Sequence, residues 1–137
     1  MSDIFDELKR LVGKNSEAVT YEKYSSIESF VRSLGEKFNG DKSKNTQLIV
    51  QYRFTERTGN VSSWCLSIHK GECKIQMEVD VRNDADVIID ADATEYLRLV
   101  NNGGNPMLLM LRKKLNISKG SVADLLKFTK CFDGYLA

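Results

Sequence analysis

Histidine and proline each occur once among the 137 residues of this chain. With His69 as the only imidazole, general acid/base catalysis and metal ligation have little material to draw on. Cysteine occurs three times, at Cys65, Cys73 and Cys131. Three thiols cannot pair completely, and none stands in a Cys-x-x-Cys zinc or redox motif, so reduced thiols are expected. An excess of positive charge is also lacking. The formal net charge is +1, which argues against a nucleic-acid binder that works by neutralising phosphates. Nor does any apolar run approach the roughly 20 residues of a membrane-spanning helix. Met1-Ser2-Asp3 is acidic where a secretory signal would be basic and then apolar, and Tyr135-Leu136-Ala137 is not a Ser-Lys-Leu address. The cytoplasm is the expected location. The length suits a single domain spanning 1–137, without repeats or low-complexity stretches.

What is present is most ordered from Ala85 to Phe128. A β-branched run, Ala85-Asp86-Val87-Ile88-Ile89-Asp90-Ala91, places Val87, Ile89 and Ala91 on one pleat face and Asp86 and Asp90 on the other. Asp92 and Glu95 have capping-box spacing, so a helix begins there. Its apolar stripe is Tyr96, Leu97, Leu99 and Val100, and Gly103-Gly104 stops it. Asn105 and Pro106 then suit the N-cap and first position of a further helix. In that helix Met107, Leu108, Leu109, Met110 and Leu111 are apolar on every side, which predicts cover all round. Lys114-Leu115-Asn116-Ile117-Ser118-Lys119-Gly120 reads as a short strand and turn. Ser121 with Asp124 caps a last helix carrying Val122, Leu125, Leu126 and Phe128.

The front half supplies the remaining strands. Ile4, Phe5, Leu8, Leu11 and Val12 recur at helical spacing before Gly13, an additional N-terminal helix with a linker within 1–24. That helix could pack on its own domain, cover a pocket, touch a membrane or form a homodimer seam. A second helix is predicted from Ser25 or Ser26 to Phe38, burying Ile27, Phe30, Val31, Leu34 and Phe38. Leu48, Val50, Tyr52 and Phe54 alternate with Ile49, Gln51 and Arg53, giving a strand with one dry face. Lys70-Gly71 as a two-residue turn sets Ile68 opposite Cys73, Leu66 opposite Ile75 and Trp64 opposite Met77. One register therefore gathers both apolar sets, with Val79, on a single face and leaves the opposite face wet. Cys65 and Cys73 project from opposite faces, which excludes a disulfide between them.

Catalytic arrangements fare poorly against their simpler readings. Cys65 and His69 share a strand face but stand about 13 Å apart at roughly 3.3 Å per residue, too far for a nucleophile and its base. Asp90 and Asp92 could be paired carboxylates, yet Asp92 already serves as a helix cap. Asn102-Gly103-Gly104-Asn105 matches no phosphate-binding loop and reads as a turn between helices. No catalytic residue, metal ligand or cofactor site is assigned. Arg112, Lys113 and Lys114 form the one concentrated positive run. It is either a solvated helix end or a site for anionic lipid headgroups, on transient membrane-surface contact, or for an acyl-CoA phosphate.

Asp86-Val87-Ile88-Ile89, the capped Tyr96-Leu97-Arg98-Leu99 helix, Asn105-Pro106, Lys114-Leu115-Asn116-Ile117 and Gly120 resemble the C-terminal half of the sterol carrier protein (non-specific lipid-transfer protein) family. Ser63-Trp64-Cys65-Leu66-Ser67-Ile68 is similar to that family's Trp-x-Leu-x-Ile strand, and the resemblance covers 25–132. Met110 stands where the family usually has Phe, Lys113 where it has Gly, and Gly120 one position later than the family's glycine. The resemblance implies an α+β fold, a five-stranded mixed twisted sheet with helices packed on one face around an apolar cavity. The residues alone favour a solid core, since methionine and leucine on a buried helix usually fill space; the resemblance reverses that preference and implies a cavity for fatty acids, acyl-CoA or sterol-like lipids. The candidate lining is Phe30, Leu34, Trp64, Leu66, Ile68, Met107, Met110, Leu111, Leu125 and Phe128. The expected function is non-catalytic lipid binding or transfer, with a protein-interaction module of the same fold as the alternative.

Overall fold

The computed structural model describes residues 24–106 and 108–133. The N-terminal stripe from Ile4 to Val12, and Met107, lie outside the described residues. Helix α1, Ile27–Lys37, begins at a reciprocal capping box. The Ser29 N–H donates to Ser26 Oγ and the Ser26 N–H donates to Ser29 Oγ, both at 3.2 Å. Two otherwise orphaned amide groups are thereby satisfied. The apolar stripe of this helix turns Ile27, Phe30, Val31 and Leu34 inward.

Three strands follow as a meander: β1, Leu48–Thr55; β2, Val61–His69; and β3, Glu72–Glu78. Lys70 and Gly71 both take left-handed φ, 50° and 76°, the pair that a tight mirror-image hairpin turn requires. The expected register results, with Ile68 opposite Cys73, Leu66 opposite Ile75 and Trp64 opposite Met77. β4, Val87–Asp92, returns parallel to β1, and β5, Leu115–Lys119, pairs antiparallel with β4. The sheet is mixed, in the order β3-β2-β1-β4-β5.

Asp92 ends β4 and caps α2, Ala93–Asn101, by accepting the Glu95 N–H at 2.9 Å. After the turn at Gly103 comes α3, Leu108–Leu111, a single turn, and after β5 comes α4, Val122–Thr129. Ser121 and Asp124 form a second capping box at the start of α4. Gly120, between β5 and α4, has φ 91°, and a Cβ there would meet the Asp86 carbonyl oxygen at 2.6 Å. All four helices among the described residues turn buried side chains into the cluster that covers one face of the sheet.

The opposite face differs from the wet surface expected. Gln51, Ser63 and Cys65 are buried there, because the segment between β3 and β4 folds back over them. Gln51 Nε2 donates to Ser63 Oγ at 2.8 Å and to the Asp80 carbonyl at 2.9 Å, while Gln51 Oε1 accepts the Arg82 N–H at 2.9 Å. The Arg82 guanidinium bridges Glu78 and Asp84, at 3.1 and 2.6 Å, and reaches Cys65 Sγ at 3.4 Å. Two apolar residues expected on the dry face are instead exposed, Met77 at 64% and Val79 at 96%. β3 is an edge strand and Val79 lies past its last paired residue, Glu78, so the packed helices do not roof this end. All three cysteines are free.

Since Gln51 satisfies both the Asp80 carbonyl and the Arg82 amide, Gln51→Leu should strand two backbone groups under the crossover. A loss of about 2 kcal/mol is expected, measured as a lower urea midpoint with an unchanged slope. A stability equal to wild type would show that the crossover contributes nothing to closing this face.

Candidate functional site

The inner face is built by alternation. β1 contributes Leu48, Val50, Tyr52 and Phe54; β2 adds Trp64, Leu66 and Ile68; β4 adds Val87, Ile89 and Ala91; all are buried in one cluster. Aromatic rings tie the helices to this floor. Tyr52 and Phe54, two residues apart on one strand, lie parallel with centroids 5.3 Å apart. Tyr96 from α2 meets Phe54 edge-on at 5.1 Å and Phe30 of α1 at 5.2 Å. Phe128 of α4 lies 6.1 Å from Tyr52 and 4.9 Å from Phe132. Edge-to-face contacts of this kind add about 0.5–1.5 kcal/mol each beyond the area they bury.

Of the candidate lining, Phe30, Leu34, Trp64, Leu66, Ile68, Leu125 and Phe128 come together in that cluster, and Met110 packs against it half-buried. Met107 lies outside the described residues. Leu111 does not join: it is 67% exposed. The expectation that the α3 segment be covered on every side is thus corrected, because one turn of helix is too short to be roofed. Tyr52, Phe54, Tyr96 and Leu109 belong to the same wall but were absent from the candidate lining. Three of them were visible on the dry strand face or the helix stripe. The wall thins at both sheet edges: Cys73 and Ile75 on β3, and Leu97, Leu99, Val100, Met110 and Ile117 on α2, α3 and β5, pack against the core only half-buried.

Arg112, Lys113 and Lys114 are all exposed at the corner between α3 and β5. The Lys114 N–H bonds the Leu109 carbonyl at 2.9 Å and the Lys113 N–H bonds the Met110 carbonyl at 3.2 Å. This is a Schellman closure, and Lys113, with φ 59°, occupies the left-handed position that glycine fills without strain. A side chain there costs about 1 kcal/mol.

Electrostatically the wall is bare. The buried polar side chains among the described residues are Ser33, Ser43, Gln51, Ser63 and Thr129, with no carboxylate, lysine or arginine. Such a surface can desolvate an apolar chain but offers no acid or base to it. The groups considered for chemistry are dispersed. His69 is exposed at the end of β2, Cys65 lies on the opposite sheet face, Asp90 pairs with Arg53 at 3.3 Å, and Asp92 is the α2 cap. Among the described residues no group of three or more His, Cys, Asp or Glu could hold a metal ion. A depression lined by Asn45, Thr46, Gln47, Leu48, Asp86, Asp124 and Lys127 is largely polar and open, unsuited to an alkyl chain. No helix among the described residues is long and apolar enough to cross a membrane.

The model of the SCP-2 sterol transfer family matches residues 32–133. Solved structures share the fold at low sequence identity. Sterol carrier protein 2 from Yarrowia lipolytica, in its apo form, has 18% identity over 80% of this chain and 99% of its own, with a TM-score of 0.58. A palmitated sterol carrier protein 2-like protein from Aedes aegypti has 15% identity over 77% and 94%, with a TM-score of 0.59. A double mutant of the sec-alkyl sulfatase PisA1, an enzyme of Pseudomonas sp., gives a TM-score of 0.66 at 13% identity over 79% of this chain. The chain spans only 16% of that sulfatase. No curated protein matches by sequence.

Burial beside the wall pushes the Cys73 thiol up to about 12, with the neighbouring Cys131 and Cys65 adding to the effect. Because the folded value lies above the unfolded one of 9.0, the stability contributed by neutral Cys73 is whole below that pH and lost as pH rises toward 12. Native protein held with iodoacetamide just below pH 9 should alkylate Cys73 far more slowly than urea-unfolded protein, as read by peptide mass. Equal rates would show that the thiol is not sheltered.

Proposed function

This chain belongs to the SCP-2 sterol transfer family, and from that premise we propose that it binds and transfers apolar ligands, fatty acids, acyl-CoA or sterol-like lipids, without altering them. The observation that carries the reading is the uncharged inner face, walled by Phe30, Leu34, Trp64, Leu66, Ile68, Leu125 and Phe128, which thins to half-buried side chains where α2, α3 and β5 meet. An alkyl chain entering beside Met110 would replace water along that margin. Each methylene removed from water contributes roughly 0.8 kcal/mol, so a tail of about 16 carbons offers on the order of 12 kcal/mol before its lost freedom is subtracted. Micromolar or better affinity needs no precise polar contact, and selectivity among apolar ligands is correspondingly low. The palmitated state of the Aedes aegypti protein makes a fatty acyl chain the first ligand to test.

The dispersal of His69, Cys65, Asp90 and Asp92 supports a carrier rather than a catalyst. Three unpaired cysteines support a reducing compartment, and we read the location as cytoplasmic. The sulfatase supports a second reading, in which this fold serves as an interaction module within a larger enzyme. Native mass spectrometry separates the two readings. A carrier is expected to show a lipid-sized mass increment lost on denaturation, whereas a chain that is empty and ignores added acyl chains and sterols supports the module.

For the carrier, Met110→Arg should abolish uptake of a fluorescent fatty acid, because a guanidinium would have to be desolvated at the entry margin. Lys74→Ala, on the far face of β3, should leave uptake unchanged. Equal uptake by both variants would remove the ligand from this margin.

A further inference from the structure

Two large apolar side chains stand exposed on or just past the outermost strand, Met77 and Val79, with Cys73 and Ile75 half-buried beside them. β3 ends the sheet, and among the described residues no backbone group pairs with its outer edge. We propose that this edge is a self-pairing surface, through which two copies of the chain join β3 to β3, antiparallel and two-fold symmetric about Gln76, into one continuous sheet.

The hairpin decides which backbone groups face outward. A two-residue turn is closed by a hydrogen bond between its flanking residues, here His69 and Glu72. Alternation from that pair directs the backbone groups of Glu72, Lys74, Gln76 and Glu78 toward β2, and those of Cys73, Ile75 and Met77 outward. In an antiparallel pair outward residues must meet outward residues, which leaves few alignments. Cys73 opposite Ile75 would set Lys74 against Lys74. Ile75 opposite Ile75 would set Glu72 against Glu78 twice, again like charges in contact. Met77 opposite Met77 would engage only the last residues of β3. Ile75 opposite Met77 sets Lys74 opposite Glu78 twice, with Gln76 of both copies on the axis.

The side chains suit that alignment. Lys74 is exposed, and Glu78 can receive it. Glu78 Oε1 accepts Gln76 Nε2 at 2.6 Å and an Arg82 nitrogen at 3.1 Å, which leaves Oε2 for the second copy. A lysine on an edge strand ordinarily blocks pairing. Here each lysine meets a carboxylate, so charge selects one alignment instead of preventing all of them. The same alignment lays Met77 against Ile75 and Val79 against Cys73 of the second copy, covering the two side chains that the helices leave bare. A two-fold axis perpendicular to the sheet keeps both apolar faces on one side and is self-complementary by construction. It also leaves the margins beside β5 open, at opposite ends of the joined sheet.

The paired stretch, residues 74–78, is only about 17 Å long at roughly 3.4 Å per residue, so association is read over a range of concentration. The test is sedimentation velocity of the full chain, reduced and without added lipid, from roughly 1 μM to 1 mM. Wild type should pass from monomer to dimer within that range. Lys74→Glu and Glu78→Lys should each weaken association at least about tenfold, because each sets like charges opposite one another twice. An equimolar mixture of the two variants should regain it, since every pair in the mixed dimer is again of opposite sign. Gln76→Cys reads the register. Its two α-carbons would lie about 4.5 Å apart, within disulfide reach. Diamide, taking one electron and one proton from each thiol, should therefore link Gln76→Cys into a covalent dimer, while wild type and Lys74→Cys stay unlinked. Leu126→Lys, on α4, should associate as wild type does. The proposal is overturned if wild type stays monomeric throughout, if Lys74→Glu dimerises undiminished, or if Gln76→Cys links no faster than Lys74→Cys. Should Glu78→Lys unfold through loss of Arg82, Lys74→Glu and Gln76→Cys still decide. None of these readouts involves a lipid, so failure of the carrier reading and failure of this one are separately visible.

Discussion

The side-chain alternation of β1 is the constraint from which the rest of the molecule follows. β1 is the central strand, hydrogen-bonded to β2 on one side and β4 on the other, so neither of its faces can be set independently of its neighbours. Its even-numbered residues, Leu48, Val50, Tyr52 and Phe54, demand an apolar roof. Its odd-numbered Gln51, fully buried between neighbours on the other face, demands hydrogen-bond partners. A slip of one residue in its pairing would expose two aromatic rings and bury Arg53 among hydrocarbons, which fixes the register of the whole sheet.

Both demands are met by parts of the chain distant in sequence. On the dry side, Tyr96 and Phe128 bring α2 and α4 down onto Tyr52, and Phe30 brings α1 against Tyr96. On the other side, the crossover between β3 and β4 folds over Gln51 and is pinned by Arg82. The crossover also delivers β4 to the free side of β1 in parallel. Closing the polar face and completing the sheet are therefore one event. The aromatic contacts tie the middle of the wall together, whereas at both sheet edges, with Cys73 and Ile75 half-buried on β3 and Met110 and Ile117 half-buried beside β5, the apolar face meets solvent. That gradient gives a carrier reading its physical sense: a firm floor, and an edge able to part around an alkyl chain.

The α3–β5 corner follows a different logic. Nothing in the core requires an exposed leucine followed by three cations, and the Schellman closure would be more stable with glycine at position 113.

Much of this was legible in the sequence. The capping residues Ser26, Asp92 and Ser121, the β2–β3 register set by Lys70-Gly71, and the division of each strand into two faces all arise from interactions within a few residues, where spacing alone specifies geometry. The family resemblance, and with it the fold, rested on the same local order of elements. Most of the candidate wall was readable too, because Phe30, Leu34, Trp64, Leu66, Ile68, Leu125 and Phe128 lie on apolar stripes that had one face to share. Three features were decided by tertiary structure alone. The far face is dry beneath Gln51 because Arg82 comes to it from 31 residues away. Met77 and Val79 are exposed because β3 lies at the sheet edge, which no pattern within β3 records. Leu111 is exposed because α3 closes after a single turn. In each case the sequence determined what a side chain prefers, and only the assembled fold decided whether a partner arrived to satisfy it, since burial depends on chain segments that periodicity does not link.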